Sequence, residues 1–552
     1  MSSVLLACAC VCVPAWSGSG STAAVPLSDP AVQSPVRLVV VVVVDQLRSD
    51  LLDRYGDVWT GGFRRLLDGG YRFTEATHDH AYTETAAGHA TLSTGVFPSR
   101  HGIPGNEWRE RAPSGGWQTV YSVFDSTSAL IGDSASAAVL NAPVVYGGPP
   151  PGRSPANLRV GGMADWLRAV HPGARIVSIS RKDRSAITLA GRTKGDVFWV
   201  LPQAGRFVTS MFYGDALPGW LQQFNASRMA ELWSDTIWRN EVPSGLISRA
   251  RPDSALFEAD HAHVTFPHVY GERHPTRSDA ARNVWVTEQT PVPDAAVFAL
   301  AEAALAELLL GADDITDYIA LGLSQTDAIG HEYGPYSLEQ LDNLLRLDRE
   351  LGAFLSGLDA RVGAGRWVLG LSADHGVMTS PEVRVADGQP GHRLTVEDGR
   401  QLRHAVLEAQ ARSSTPEDVP QLVAQAVRQL PFVAAAYLTA DYTRAEPADS
   451  FARLYRNSYV PGRIMGGFFQ LGLDVRLTEG TIAEGRGSTH GSPYWYDRHV
   501  PLLFYGAGVR HGESRAAART VDFAPTLFAL AGVPVPDGLD GRSLAPVVTG
   551  AR

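Results

Sequence analysis

Three aspartates stand just beyond apolar runs, and two of them have a histidine close behind. Asp45 follows LVVVVVV (38–44), Asp327 ends DYIALGLSQTD (317–327), and Asp374 ends WVLGLSAD and is joined directly to His375 in SADHG. In SQTDAIGHEYGP, Asp327 and His331 are four residues apart, so one helical turn would aim both the same way. His490 lies in GSTHGSP, a loop of small residues. Carboxylate oxygen and imidazole nitrogen are the ligands that zinc takes where thiolates are absent. Any one Asp after a strand is as readily a helix N-cap, and a lone Asp-x-x-x-His arises by chance. The set as a whole points to a metal centre.

The stretch YTETAAGHATLSTG (82–95) carries hydroxyls and glycines that lower helix propensity. Thr85 is placed to open a helix, where exposed backbone N–H groups and the dipole favour negative charge. A coordinated cation would lower its hydroxyl pKa further and make it a nucleophile. Gly88 would let chain or ligand approach closely. On residue types alone, Thr85 could equally be a plain cap.

The elements that must position these groups are legible in outline. LVVVVVV fits a strand buried on both faces of a sheet, and seven residues are far short of the ~20 needed to span a bilayer. Further apolar strands are expected in RIVSIS (175–180), 317–327, 366–376 and PLLFYG (501–506). Helices are expected at Ala295–Leu310, Leu338–Leu358, His404–Ala411 and Phe523–Ala531. That alternation predicts an α/β fold, a mostly parallel central sheet with helices on both faces. In such sheets ligands gather at the carboxyl ends of strands, where the three aspartates fall. Two segments break the rhythm and read as insertions: an aromatic- and Pro-rich cap at 202–290 and a second at 377–488.

Composition sets the class. At 552 residues, with 44% hydrophobic and 19% charged residues, the chain suits a large globular domain with insertions, here 36–552. A net charge of −10 argues against a nucleic-acid binder, which needs a basic face. A small anionic substrate remains compatible, since local groups and ions set the field inside a cleft. All three cysteines, Cys8, Cys10 and Cys12, lie in the apolar start MSSVLLACACVCVPAW, followed by SGSGSTAA. Residues 1–24 read as a secretory signal, although no Lys or Arg precedes the apolar run. A lipoprotein signal with Cys8 acylated is the alternative. After cleavage no cysteine would remain for a disulfide or a thiolate metal site. No span crosses a membrane, and a periplasmic or secreted monomer is expected.

The motifs VVVDQLRSD, TETAAGHATLSTG, HGIPGNEW, SRKDRSA, SQTDAIGHEYG, SADHGV and STHGS occur in the order found in the alkaline phosphatase superfamily. The chain most resembles the phosphate-irrepressible periplasmic alkaline phosphatases, on the branch shared with type I phosphodiesterase/nucleotide pyrophosphatases. The resemblance runs from about Leu38 to the C-terminal VDFAPTLFALAGVPVPDGLDGRSL. It implies an alkaline-phosphatase-like fold and two Zn2+ per chain. Asp45, Asp374 and His375 match the ligands of the zinc that activates the nucleophile, with Thr85 as nucleophile and further ligand. Asp327, His331 and His490 match the ligands of the zinc facing the leaving oxygen. Asn106 matches an Asn on a phosphoryl oxygen, and Lys182 and Arg184 the cationic pair of monoesterases. Glu84, His89 and Asp183 have no such role and read as structural. The implied activity is hydrolysis of small phosphate monoesters through a phospho-threonine, releasing inorganic phosphate. A phosphodiesterase or nucleotide pyrophosphatase on the same scaffold is the nearest alternative, and a non-catalytic phosphate- or metal-binding protein a more distant one. A sulfatase is disfavoured, because Thr85 lacks a Cys/Ser-x-Pro-x-Arg context.

Overall fold

The computed structural model describes residues 36–140, 152–258, 264–271, 278–466, 471–483, 485 and 487–550. The expected leader at 1–24, with Cys8, Cys10 and Cys12, lies outside the described residues. The central sheet is built from β1 (Leu38–Val44), β2 (Tyr71–Phe73), β3 (Phe124–Ile131) and β4 (Gly152–Arg153). It continues with β5 (Ile176–Ser180), β6 (Asp196–Leu201), β7 (Arg206–Ser210) and β8 (Asp317–Leu323). The chain completes it with β9 (Trp367–Ser372), β10 (Leu502–Gly506) and β11 (Gly512–Ser514). Their spatial order is β11-β2-β10-β9-β1-β8-β5-β6-β7-β3-β4.

The expectation of a mostly parallel sheet holds only at the centre. Strands β9, β1, β8, β5 and β6 run parallel. On one flank β10 is antiparallel to β9 and β2 to β10, with β11 parallel to β2. On the other, β7, β3 and β4 are each antiparallel to their inner neighbour. The sheet is therefore mixed. The reason is connection length: β6 and β7 are joined by 202–205 alone, and a turn that short can only reverse the chain. The apolar run at 501–506 forms the expected strand, but an apolar run carries no direction.

All seven side chains of β1 are fully buried. Leu38, Val40, Val42 and Val44 enter one core and Val39, Val41 and Val43 the other, as the period of two requires. Helices cover both faces. On the first lie α3 (Val292–Glu307) and α5 (Leu338–Leu358), on the second α6 (Phe523–Leu530). Three more helices carry the site: α1 (Thr85–Thr94), α2 (Asp183–Ala190) and α4 (Gln325–Tyr333). The helix expected at His404–Ala411 is the end of a longer one, Val396–Arg412, started by a capping box between Thr395 and Asp398.

Within 202–290, β7 belongs to the central sheet, while Asp279–Gln289 is helical. Within 377–488, the helices Val396–Arg412 and Val419–Val427 and the antiparallel pair Val433–Leu438/Leu473–Leu477 share a separate small core around Ala409, Val423 and Leu473. Among the described residues no helix is long and apolar enough to cross a membrane.

Parallel pairing brings the ends of the central strands level. Val44 is opposite Leu323, Val43 opposite Ser372, and Gly322 opposite Ser180. The residues just after these strands, carrying Asp45, Asp327, Asp374 and Lys182, therefore leave the sheet along one edge.

Candidate active site

Asp45 leaves β1 with its N–H bonded to the Leu323 carbonyl, 2.8 Å. Asp374 and His375 follow β9, and all three side chains are fully buried. A donor atom from each lies within 4.8 Å of the others. Asp327 sits in the first turn of α4 with His331 one turn on, their Oδ1 and Nε2 atoms 3.1 Å apart. His490 Nε2 is 3.5 Å from the same oxygen. Asp327, His375 and His490 form a second group of the same compactness, so His375 stands between the two ligand sets.

The histidines are prepared as electron-pair donors. His331 Nδ1 lies 2.9 Å from the Ser488 carbonyl oxygen, His375 Nδ1 2.9 Å from that of Gly376, and His490 Nδ1 2.7 Å from that of Thr83. A carbonyl only accepts, so each Nδ1 carries a proton and each Nε2 faces the carboxylates as the atom free to bind an ion in the neutral ring. Asp45 Oδ1 and His375 Nε2 are buried without a hydrogen-bond partner, and Asp374 Oδ2 has only the His89 ring nitrogen at 3.0 Å. Lone pairs gathered on lone pairs repel unless a cation lies between them. The donor set therefore fits divalent cations with nitrogen and oxygen ligands.

One cation of the protein's own already lies here. Lys182 Nζ donates to Asp45 Oδ2 (2.5 Å) and Asp327 Oδ2 (2.6 Å), and lies 3.3 Å from Thr85 Oγ1. Burial and the charges of Asp327 and Asp374 push the Asp45 carboxyl well up. Asp327, though equally buried, is held well below the usual carboxylate range by Lys182 and His331. Despite its burial, Asp374 is held low by His375 and His89. Burial pushes His375 down. It opposes protonation of His490 too, but hydrogen bonding to Asp327 and its charge outweigh it and raise His490 to about 9. Lys182 thus bonds two of the three buried carboxylates, Asp45 and Asp327, and a divalent cation among them would favour their ionised form.

Thr85 opens α1, as its residue type allowed, and is almost wholly buried. Gly88 proves to serve a chain approach: a Cβ there would lie 2.0 Å from the Asp374 carbonyl oxygen. Gly88→Ala is expected to push α1 away from Asp374, costing roughly 1–3 kcal/mol as overpacking does. Thermal unfolding measures the cost, and hydrolysis should fall with it because Thr85 moves with the helix.

Asn106 is locked on both sides. Its N–H donates to Glu84 Oε2 (2.7 Å), and its Oδ1 accepts from the Ala86 N–H (3.0 Å) at the start of α1. Burial raises the Glu84 carboxyl. Arg184, at the start of α2, donates through Nη1 to the Tyr121 hydroxyl (3.3 Å), which itself donates to Asp183 Oδ1 (2.5 Å). Burial opposes the Arg184 charge, but Tyr121 and Asp183 outweigh it and raise its pKa.

Several neighbours of the site had only a structural place in the sequence reading, or none. His89 Nδ1 is 2.9 Å from the Thr85 carbonyl oxygen and 3.0 Å from Asp374 Oδ2, so it touches a candidate ligand. Glu84 and Asp183 touch Asn106 and Arg184. Tyr121 arrives on a hairpin, Glu107–Arg111 with Trp117–Tyr121, that the alternation of strands and helices did not reveal. Gln46 bonds two of the aspartates. Its one signal was adjacency to Asp45.

The type I phosphodiesterase / nucleotide pyrophosphatase family model matches residues 39–467. Alkaline phosphatase PafA of Elizabethkingia meningoseptica is 30% identical over 542 residues, covering 93% of this chain and 94% of that protein. Alkaline phosphatase PhoV of Synechococcus elongatus is 29% identical, covering 93% of each. The crystal structure of wild-type PafA superposes with a TM-score of 0.81 at 28% identity, covering 93% of this chain and 99% of that one. With ordered motifs, sheet and family model in agreement, the chain belongs to the type I phosphodiesterase / nucleotide pyrophosphatase family and has the alkaline-phosphatase-like fold.

Proposed function

We propose that the chain is an exported alkaline phosphatase that hydrolyses phosphate monoesters through Thr85 and releases inorganic phosphate. The observation that carries this is the convergence of Asp45, Asp374, His375, Asp327, His331 and His490 beside one hydroxyl and one ammonium. The names of the relatives PafA and PhoV support the same reaction class. Asp45, Asp374 and His375, with Thr85, would hold one Zn2+, and Asp327, His331 and His490 the other. When bound, the two ions supply the charge that lowers the hydroxyl pKa and stabilises the entering and departing oxygens of an in-line displacement.

Thr85 Oγ attacks phosphorus, the ester oxygen departs, and a phospho-threonine forms. Water then hydrolyses it, returning the hydroxyl and freeing phosphate. Position at the start of α1 favours the negative charge that gathers on the phosphoryl group. Asn106 Oδ1 is committed to Ala86 N–H, which leaves Nδ2 as its donor for a phosphoryl oxygen. Lys182 and Arg184 take the oxygens that a monoester dianion leaves unesterified. Export rests on the leader read at 1–24.

The family model gives a second reading, a phosphodiesterase. An aryl phosphate and its matching diester, assayed side by side on the zinc-loaded protein, decide between them. The monoester is expected to be cleaved faster by about two decades or more, from fixed donors worth roughly 1.5–3 kcal/mol each. A faster diester would replace the monoesterase assignment. Metal analysis of the same sample should find two ions per chain.

A further inference from the structure

Among the described residues, two that are not glycine have a positive φ, and one is Gln46 at +68°. A side chain in this left-handed region crowds its own backbone, so glycine would be the undemanding choice. Gln46 is fully buried, and its backbone and side-chain donors are both used on aspartates. Its backbone N–H donates to Asp374 Oδ1 (3.1 Å), and its Nε2 donates to Asp327 Oδ1 (2.7 Å). These two carboxylates belong to different ligand sets, and the residue before Gln46 is Asp45, a ligand in the first. Space for the amide is also provided. Gly330 on α4 lies against it, where a Cβ would come within 1.9 Å of Gln46 Oε1.

We propose that Gln46 is a positioning residue that fixes the spacing between the two ion sites, by clamping one carboxylate of each from a single strained turn. The inference rests on the two-ion reading above. The backbone contact survives in any variant, since its donor is the main chain. The amide contact is the side chain's alone, and it falls on the set made of Asp327, His331 and His490. Strain at functional residues persists when surrounding contacts over-determine it, and here those contacts are the carboxylates themselves.

Gln46→Gly separates this role from a merely structural one. Glycine accepts the turn without strain and keeps the N–H on Asp374, which offsets part of the cost of the lost amide, so the metal-free protein should still fold and unfold in one cooperative transition. Ion retention should split. Zinc content is measured per chain after equilibration with graded concentrations of a chelator. Wild type is expected to start with two ions. Gln46→Gly should lose one of them at a chelator concentration about ten- to a hundredfold lower, the usual effect of removing an outer partner of a ligand, and hold the other as wild type does. Gln46→Glu keeps the shape while setting an acceptor against Asp327, and should give the same split if the glycine variant fails to fold. Both variants retaining both ions as wild type does would overturn the role of Gln46 alone. A wild type that never holds two ions would overturn the two-ion reading, and this inference with it.

Discussion

Thr85→Ala is expected to lower the rate of aryl phosphate hydrolysis at least roughly 10³-fold, since removing a nucleophile removes the covalent route and leaves only positioning and charge. The protein should still fold. Thr85 Oγ1 lies 3.3 Å from Lys182 Nζ, and Thr85 is not the N-cap of α1, a place held by Glu84. The change in unfolding free energy should therefore stay within roughly 1–3 kcal/mol, the cost of removing one partner of a buried hydrogen bond. Thr85→Ser keeps a hydroxyl at the same place and should retain measurable turnover. Rapid acid quenching of wild type during turnover of labelled substrate should trap phosphate on Thr85 and none on the alanine variant. Full activity in Thr85→Ala would remove the nucleophile assignment.

The second large effect is expected from the cationic pair. Replacing Lys182 and Arg184 together by alanine should lower monoester kcat/KM by about two to four decades, taking roughly 1.5–3 kcal/mol for each hydrogen bond to a charged oxygen. The diester should lose much less, because its second ester group occupies the place of the oxygen those cations bind. The two residues are not equivalent probes. Lys182 also bonds Asp45 and Asp327, so its loss leaves two candidate-ligand carboxylates facing each other and, on the proposed reading, should disturb ion binding as well. Arg184 bonds Tyr121 and stands beside Asp183, and Asp45 acts on it through charge alone. Arg184→Ala should therefore shift the monoester/diester ratio most cleanly. Equal losses on both esters would sink the account of specificity.

Much of this site could be read before any coordinates. Aspartates at the ends of apolar runs, and a histidine one turn beyond Asp327, have local signatures because strand ends and helical turns are local. The central strands were legible for the same reason, since burial on both faces writes an unbroken apolar run such as Leu38–Val44. Strand direction was not, because it depends on the connection rather than the strand, and the flanks proved antiparallel. Nor were the partners of the ligands. His89 meets Asp374, Tyr121 meets Arg184, and Gln46 meets Asp327 across separations of hundreds or tens of residues that no spacing rule records. Gly88 showed as an oddity in a helix, and its reason, the Asp374 carbonyl, lies on another segment altogether.

The order of the ligands along the polypeptide bears on biogenesis. The first, Asp45, is made early, while His490 comes only shortly before the strand Leu502–Gly506. A nascent chain can thus pair its inner strands well before the coordination shell closes. On the proposed two-ion reading, capture of both ions waits until His490 has been made, so a product cut short before it would hold Thr85 without the full set of candidate ligands.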